Sequence, residues 1–169
     1  MLLFMREEEK LARDVYLAMG DKWGLAIFDN IAGSEQRHMD AVLELLEARG
    51  IEDPVGDSAA GVFSDQDLQN LYDELIERGL ESPDQALLVG ATIEDLDIRD
   101  LRSAIAGSSD YDVQRVLGNL ERASLNHLRA FSRQLEKNGI TYSPEYMDPG
   151  EYEIVVASGA GRGKGRAGS

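Results

Sequence analysis

Two residues three apart, Glu35 and His38, interrupt an otherwise apolar helical stripe. Taken in steps of three and four, the stretch gives Phe28, Ile31, Glu35, His38, Val42 and Leu45. Residues at that spacing share one face of a helix, and a face of this composition belongs against a core. A carboxylate and an imidazole buried there without partners would be costly. A metal ion is the simplest partner, because Glu-x-x-His offers an oxygen and a nitrogen ligand from one helical turn. A surface Glu beside a His satisfied inside the core is the plainer reading of this stretch by itself.

The rest of the chain weighs toward the metal. It holds two histidines. The second, His127, lies on the line Val113, Leu117, Leu120, Ser124, His127, Phe131 and Leu135. About a third of helix positions face a core, so two independent placements there would arise about one time in ten. Two further long periodic segments carry carboxylates on or beside their apolar lines. One has Glu9, with Glu8 adjoining; the other has Glu94, with Asp97 one turn on. Four helices with polar interruptions near their midpoints are what a bundle uses to build a metal site from facing side chains. Asp97 and Asp100 also have a plainer reading, as solvated acids or partners of Arg99 and Arg102. Glu8 reads as a first-turn acid or a group behind the ligands, Tyr16 as core or likewise a group behind the ligands, and Trp23 as a packing residue at the end of the helices.

The elements that must position these residues are helices. The first reads as residues 2 to 19, broken by Gly20-Asp21, and the second as Trp23 to Arg49 with Gly50 as its stop. Residues 51 to 63, with Pro54, Gly56, Ser58 and Gly61, read as loop. Ser64-Asp-Gln-Asp67 resembles a capping box that opens a short helix ending at Gly79. Ser82-Pro83 gives an N-cap with proline at the first helical position, and that helix runs to Gly107. Asp110 opens the last long helix, which runs to Asn138-Gly139. Ile154-Val155-Val156-Ala157 reads as a short extended segment. The chain thus divides into a helical domain over 1–157 and a Gly-rich basic tail over 158–169 that is expected to be disordered.

Composition narrows the function. The 169 residues suffice for one domain with a sizeable core, and a hydrophobic content of 43% supports a packed globule. The formal charge of −15 argues against nucleic acid and anionic membrane surfaces as partners. No cysteine is present, so disulfides, thiolate metal sites and iron–sulfur clusters are excluded. No apolar run approaches membrane-spanning length, and the cytoplasm is the expected compartment.

Several motifs also carry a family resemblance. Glu9-Lys-Leu-Ala12-Arg-Asp-Val-Tyr16 resembles the first-helix motif of the ferritin-like superfamily, and Glu35-Gln-Arg-His38 its second-helix Glu-x-x-His. The long connection between Gly50 and Ser82 suits a crossover that makes the second and third bundle helices parallel. More closely, Glu-Glu-Glu-Lys-Leu-Ala-Arg-Asp-Val-Tyr, Ser34-Glu35 with His38-Met39, Val89-Gly90-Ala with Ile93-Glu94, and Ser124 with His127-Leu128 are similar to a ferritin-like group, the family catalogued as domain of unknown function 2202. The resemblance covers residues 5 to about 150.

The resemblance implies an all-α, ferritin-like four-helix bundle with a short extra helix in the crossover. It implies Glu9, Glu35, His38, Glu94 and His127 as metal ligands. Where the superfamily has a second Glu-x-x-His, this chain has Ser124-Leu-Asn-His127. Glu121 lies about 120° round the helix from His127, so Asp97 is the better candidate for the missing carboxylate. Two metals, a single metal or an altered cluster remain open. Iron is the metal expected, with manganese or zinc served by the same donors. The activity implied is a di-iron type oxidoreductase handling dioxygen or peroxide, with a small-molecule oxidant as partner, a separate reductase for turnover and a homodimer as the assembly. A non-redox metal-dependent hydrolase and a metal-binding or structural helical protein without catalysis stand as alternatives.

Overall fold

Six helices form the chain in a computed structural model that describes residues 1–158, and no strand occurs among them. They are α1 (Leu2–Trp23), α2 (Ala26–Glu47), α3 (Gln66–Gly79), α4 (Pro83–Gly107), α5 (Tyr111–Lys137) and α6 (Pro149–Ala157). The most extensive packing joins α1 to α2 and α4 to α5. The two pairs meet through α2 against α5 and α1 against α4, while α3 lies on α4 and α1, and α6 on α5.

Capping residues set most boundaries. Ser82 accepts from the Gln85 amide ahead of Pro83, and Asp110 accepts from the amides of Asp112 and Val113. Each satisfies donors that have no partner in a first turn. At α3 the cap is Asp65, which accepts from Asp67 and Leu68, rather than Ser64.

Two other expectations are corrected. Gly20-Asp21 does not break α1, which continues to Trp23 and stops at Gly24, in the left-handed region at φ 64°. A Cβ at Gly20 would lie 2.6 Å from Oδ1 of the exposed Asp29, which a turn of that side chain would relieve. With the α1–α2 turn at Gly24 and Leu25, α2 begins at Ala26 and ends at Glu47, inside the expected span. Ile154 to Ala157 is not extended but is the end of α6, nucleated by Asp148, which accepts from Gly150 and Glu151, and by Pro149 at its start. This cap and proline outweigh the weak preference of β-branched residues for strands. Most of the tail, residues 159–169, lies outside the described residues.

The direction of each helix follows from its contacts. Late α1 meets early α4, as in Tyr16 against Glu94, whereas Leu2 and Met5 share an apolar cluster with Leu101 and Ala104. In the same way Phe28 of α2 packs on Phe131, and Arg49 pairs with Asp110. So α1 opposes α4, α2 opposes α5, and α2 and α4 run in one direction.

The core is split. One apolar cluster gathers around Tyr16, Phe28 and Phe131, with Met19, Val89 and Leu135; the other gathers Met5, Val42, Leu46, Leu101, Leu117 and Leu120. Between them, at the middle of all four long helices, lies a layer of buried polar side chains.

Over residues 5 to 12, all buried, α1 is covered on every side. Its face away from α2 carries charges that hold the 48–65 connection. Arg6 pairs with Asp53 at 2.9 Å; Lys10 Nζ donates to Asp14, Ala59 O and Val62 O; Glu7 accepts from the amides of Ser64 and Asp65. These charges fit inside because each meets an opposite charge or a loop backbone group.

Candidate metal centre

The polar layer takes its residues from all four long helices. Glu8 and Glu9 come from α1, Glu35 and His38 from α2, Glu94 and Asp97 from α4, and Ser124 and His127 from α5. On the last three helices the pairs are three residues apart, so one turn presents both side chains to the same interior space. Glu9, Glu35 and Glu94 are each 2% exposed and His38 7%.

The structure brings five of the six expected site residues into two overlapping groups. Glu9, Glu35 and His38 each offer one ligand atom, and these atoms lie within 4.8 Å of one another. Glu35, Glu94 and His127 do the same. Glu35 belongs to both groups. Its Oε2 lies 2.6 Å from His38 Nδ1, and its Oε1 lies 2.9 Å from His127 Nδ1. His38 Nδ1 is also 3.1 Å from Glu9 Oε2, and His127 Nδ1 is 3.4 Å from Glu94 Oε2. The imidazoles stack at 5.8 Å between centroids.

Asp97 stands beside these groups rather than in them. Its Oδ2 accepts from Ser124 Oγ at 2.5 Å, so the side chain faces the position where a fourth-helix carboxylate is absent. Tyr16, fully buried, donates to Glu94 Oε1 at 2.6 Å. Glu121 faces away and pairs with Arg102.

Several buried atoms of the layer have no hydrogen-bond partner: Glu9 Oε1, Glu35 Oε1, Asp97 Oδ1, His127 Nδ1 and both oxygens of Glu8. The close approach of His127 Nδ1 to Glu35 Oε1 is therefore an ion-pair contact without hydrogen-bond geometry. Those of Glu9, Glu35 and His127 belong to residues of the two groups. In native structures, orphaned buried polar atoms are few, and the natural occupant of a site lined by carboxylates and imidazoles is a divalent cation. The donor set fits one.

The electrostatics agree. Burial raises Glu9 to about 7, and burial with the charges of neighbouring carboxylates raises Glu8 and Asp97 well above the usual carboxylate range. Burial also raises Glu94, against the opposing charge of His127. Burial opposes the shift of Glu35, but the close contacts and charge of His127 and His38 hold it down to about 2. Both imidazoles move up despite burial. Glu9 and Glu35 push His38 to about 11, and Glu94 and Glu35 push His127 to about 10. Protons thus supply the positive charge that this cluster of carboxylates demands.

Two buried side chains beside the centre are only partly legible in sequence. Glu8 is 3% exposed and faces Asp97 and Asp100; adjacent acids on a helix do not reveal which of them is turned inward when all sides are covered. Tyr16 lies on the apolar line of α1, where its hydroxyl gives no signal of a carboxylate opposite.

A family model described as "Uncharacterized protein domain (DUF2202)" matches residues 1–159. The chain is similar to the "Uncharacterized protein MJ0754" of Methanocaldococcus jannaschii, at 52% identity over 165 residues, covering 98% of this chain and 89% of the relative. It is also similar to a solved structure titled as that of hypothetical protein MJ0754 from Methanococcus jannaschii, with a TM-score of 0.91 at 52% identity. That match covers 92% of this chain and 89% of the other.

Proposed function

The chain belongs to the DUF2202 family, and from the chemistry of its core we propose a ferritin-like four-helix bundle that binds two metal ions and acts as a di-iron type oxidoreductase. The observation that carries this reading is the sharing of Glu35 between two buried carboxylate–histidine groups. A carboxylate with one oxygen toward each group is suited to bridge two ions. The bundle reading draws on two antiparallel helix pairs, joined by a long connection that leaves α2 and α4 parallel.

In this proposal Glu9 and His38 hold one ion, Glu94 and His127 hold the other, and Glu35 serves both. Asp97, oriented by Ser124, adds the carboxylate that the fourth helix does not supply. Hard oxygen donors with imidazole nitrogen and no thiolate favour iron, with manganese and zinc next. Bound there, iron would supply one-electron chemistry toward dioxygen or peroxide. The chain's own residues do the rest. Tyr16 fixes Glu94 by donating its hydroxyl hydrogen bond to Glu94 Oε1. The Tyr16–Phe28–Phe131 aromatic group, with centroids 5.4 to 6.1 Å apart, keeps water out from one side. With no cysteine in the chain, electrons for turnover come from a separate reductase. A non-redox hydrolase would draw on the same donors, and no feature of the core favours it.

The test is metal analysis of protein purified without an affinity tag, followed by aerobic addition of ferrous ion. Two metal ions per chain are expected, with near-ultraviolet absorption that grows as iron is oxidised. Absence of metal both before and after loading would refute the reading. Firm binding of zinc or manganese without any iron oxidation would refute its redox part.

A further inference from the structure

Glu8 has no role in the centre described above, and its position is difficult to explain on structural grounds alone. The side chain is 3% exposed and neither oxygen has a hydrogen-bond donor. Its neighbours are acids: after burial itself, the charges of Asp97 and Asp100 are what raise its carboxyl. Arg6 and Lys10, two residues away on either side, are committed to the opposite connection through Asp53, Asp14 and loop carbonyls. A buried carboxyl packed against two others is a net cost unless a proton or another positive charge is there.

The three carboxylates lie in sequence along the seam between α1 and α4. At the inner end, Asp97 borders the metal centre, and its free Oδ1 is one of the orphaned atoms. At the outer end, Asp100 is half-buried, held by Arg99 at 2.8 and 2.7 Å. Asp100 also lines a surface pocket of about 420 Å³ between the two helices, together with Phe4, Met5, Ser103, Ala104 and Gly107. Glu8, one turn on from Phe4 and Met5, sits between pocket and centre. The ligand atoms of these three acids do not close into a compact group; the close groups are the two that share Glu35. The arrangement is that of stepping stones rather than a further resident site.

We propose that this seam is the route by which a divalent cation passes between solvent and the carboxylate–histidine centre, with Asp100 and then Glu8 as transient ligands. The proposal rests on the metal-binding reading above. A low-dielectric cleft with an excess of one sign of charge concentrates ions of the opposite sign and raises their arrival rate, and here three carboxyl groups stand against the one guanidinium of Arg99. A relay residue lowers the barrier for an ion in both directions, so its loss slows uptake and release by the same factor and leaves affinity unchanged. A resident ligand behaves otherwise, because its loss lowers affinity or stoichiometry.

The experiment mixes metal-free protein with Co²⁺ in a stopped-flow instrument and follows the visible absorption of the bound ion. Release is followed after adding excess chelator, and stoichiometry by elemental analysis. Glu8→Gln and Asp100→Asn are compared with wild type and with Glu44→Gln, which removes an equal charge from an exposed position on α2. Both seam variants should take up and release Co²⁺ at least about tenfold more slowly, with wild-type stoichiometry, while Glu44→Gln stays near wild type. Glu8→Gln should melt no lower than wild type; if it fails to fold, Asp100→Asn and its rates decide. Unchanged rates in the seam variants, or equal slowing in Glu44→Gln, overturn the route. Loss of stoichiometry in Glu8→Gln also overturns it, by making Glu8 a resident ligand. No uptake by wild type overturns the metal-binding reading itself, and the route with it.

Discussion

Loading the centre with metal should release protons, and the number can be worked out from the side chains. In metal-free protein at pH 7, His38 and His127, raised to about 11 and 10, are both imidazolium. Glu35, held at about 2, is ionised, and Glu9, at about 7, is half protonated. An imidazole binds a metal only in its neutral form. Filling both positions therefore displaces one proton from each histidine and part of another from Glu9, more than two in total. Each displaced proton contributes about 1.4 kcal/mol to metal binding per pH unit. The overall binding constant should then rise at least about hundredfold per unit, or about 2.7 kcal/mol. The sign follows from competition: raising pH removes the competing protons and favours metal. The dependence should continue upward until the lower imidazole value, about 10, is passed. Titration calorimetry with Mn²⁺ near pH 7, in buffers of different ionisation enthalpy, counts the protons directly. Fewer than one proton released per chain at full loading, or affinity flat with pH, would show that the histidines are not displaced imidazolium ligands.

Other perturbations probe separate parts of the argument. His38→Ala should lose metal. Without metal it should also cost about 3–5 kcal/mol, because it leaves Glu9 and Glu35 buried without that cation; elemental analysis and chemical denaturation read the two effects. Asp97→Ser combined with Ser124→Glu should retain more metal than Asp97→Ser alone, and equal metal content in the two would mean the position facing Ser124 is not a ligand site. Tyr16→Phe should destabilise by about 1–3 kcal/mol, the cost of leaving a buried acceptor on Glu94 without its donor, seen as a lower Tm. Gly90→Ala should lower Tm as well, since a Cβ there would collide with the Phe131 ring, at a cost of about 1–3 kcal/mol.

Much of this was legible from residue spacing. The Glu35–His38 and His127 lines place the three residues inside, and the structure gathers them with Glu9 and Glu94. Ser82-Pro83 and Asp110 start helices where the chemistry of unsatisfied amides says they should. Features that depend on a distant partner were not legible. Gly20 looks like a stop, but the helix runs on through it, and Gly24, four residues on, takes the left-handed conformation. The Ile154–Ala157 segment has strand-like residues, yet Asp148 and Pro149 start a helix before them and Tyr152 and Val155 anchor it by burial. Arg6, Lys10 and Glu7 look like a solvated face of α1, because the loop groups that meet them lie about fifty residues away and leave no period in the sequence.

The position of the polar layer gives the metal reading a further argument that does not depend on any one residue. Between two apolar clusters, ordinary core packing would place apolar side chains, each worth about 1.5–3 kcal/mol on burial. Here that level of the interior holds Glu8, Glu9, Glu35, His38, Glu94, Asp97 and Ser124, all buried, with His127 nearly so. Replacing buried ionic groups by apolar ones of similar volume is commonly neutral or stabilising, so the layer is not explained by stability. Nor do its members satisfy one another: five carboxyl groups face two imidazoles, and the shortfall is met by raised proton affinity and by atoms left without partners. Elsewhere in the same molecule buried charge is matched closely, as Lys10 is by Asp14 and two carbonyls. A fold that pairs its charges closely on one side of α1, and neutralises the carboxylates in its middle only by holding protons on them and on the two imidazoles, has a core complementary to a cation.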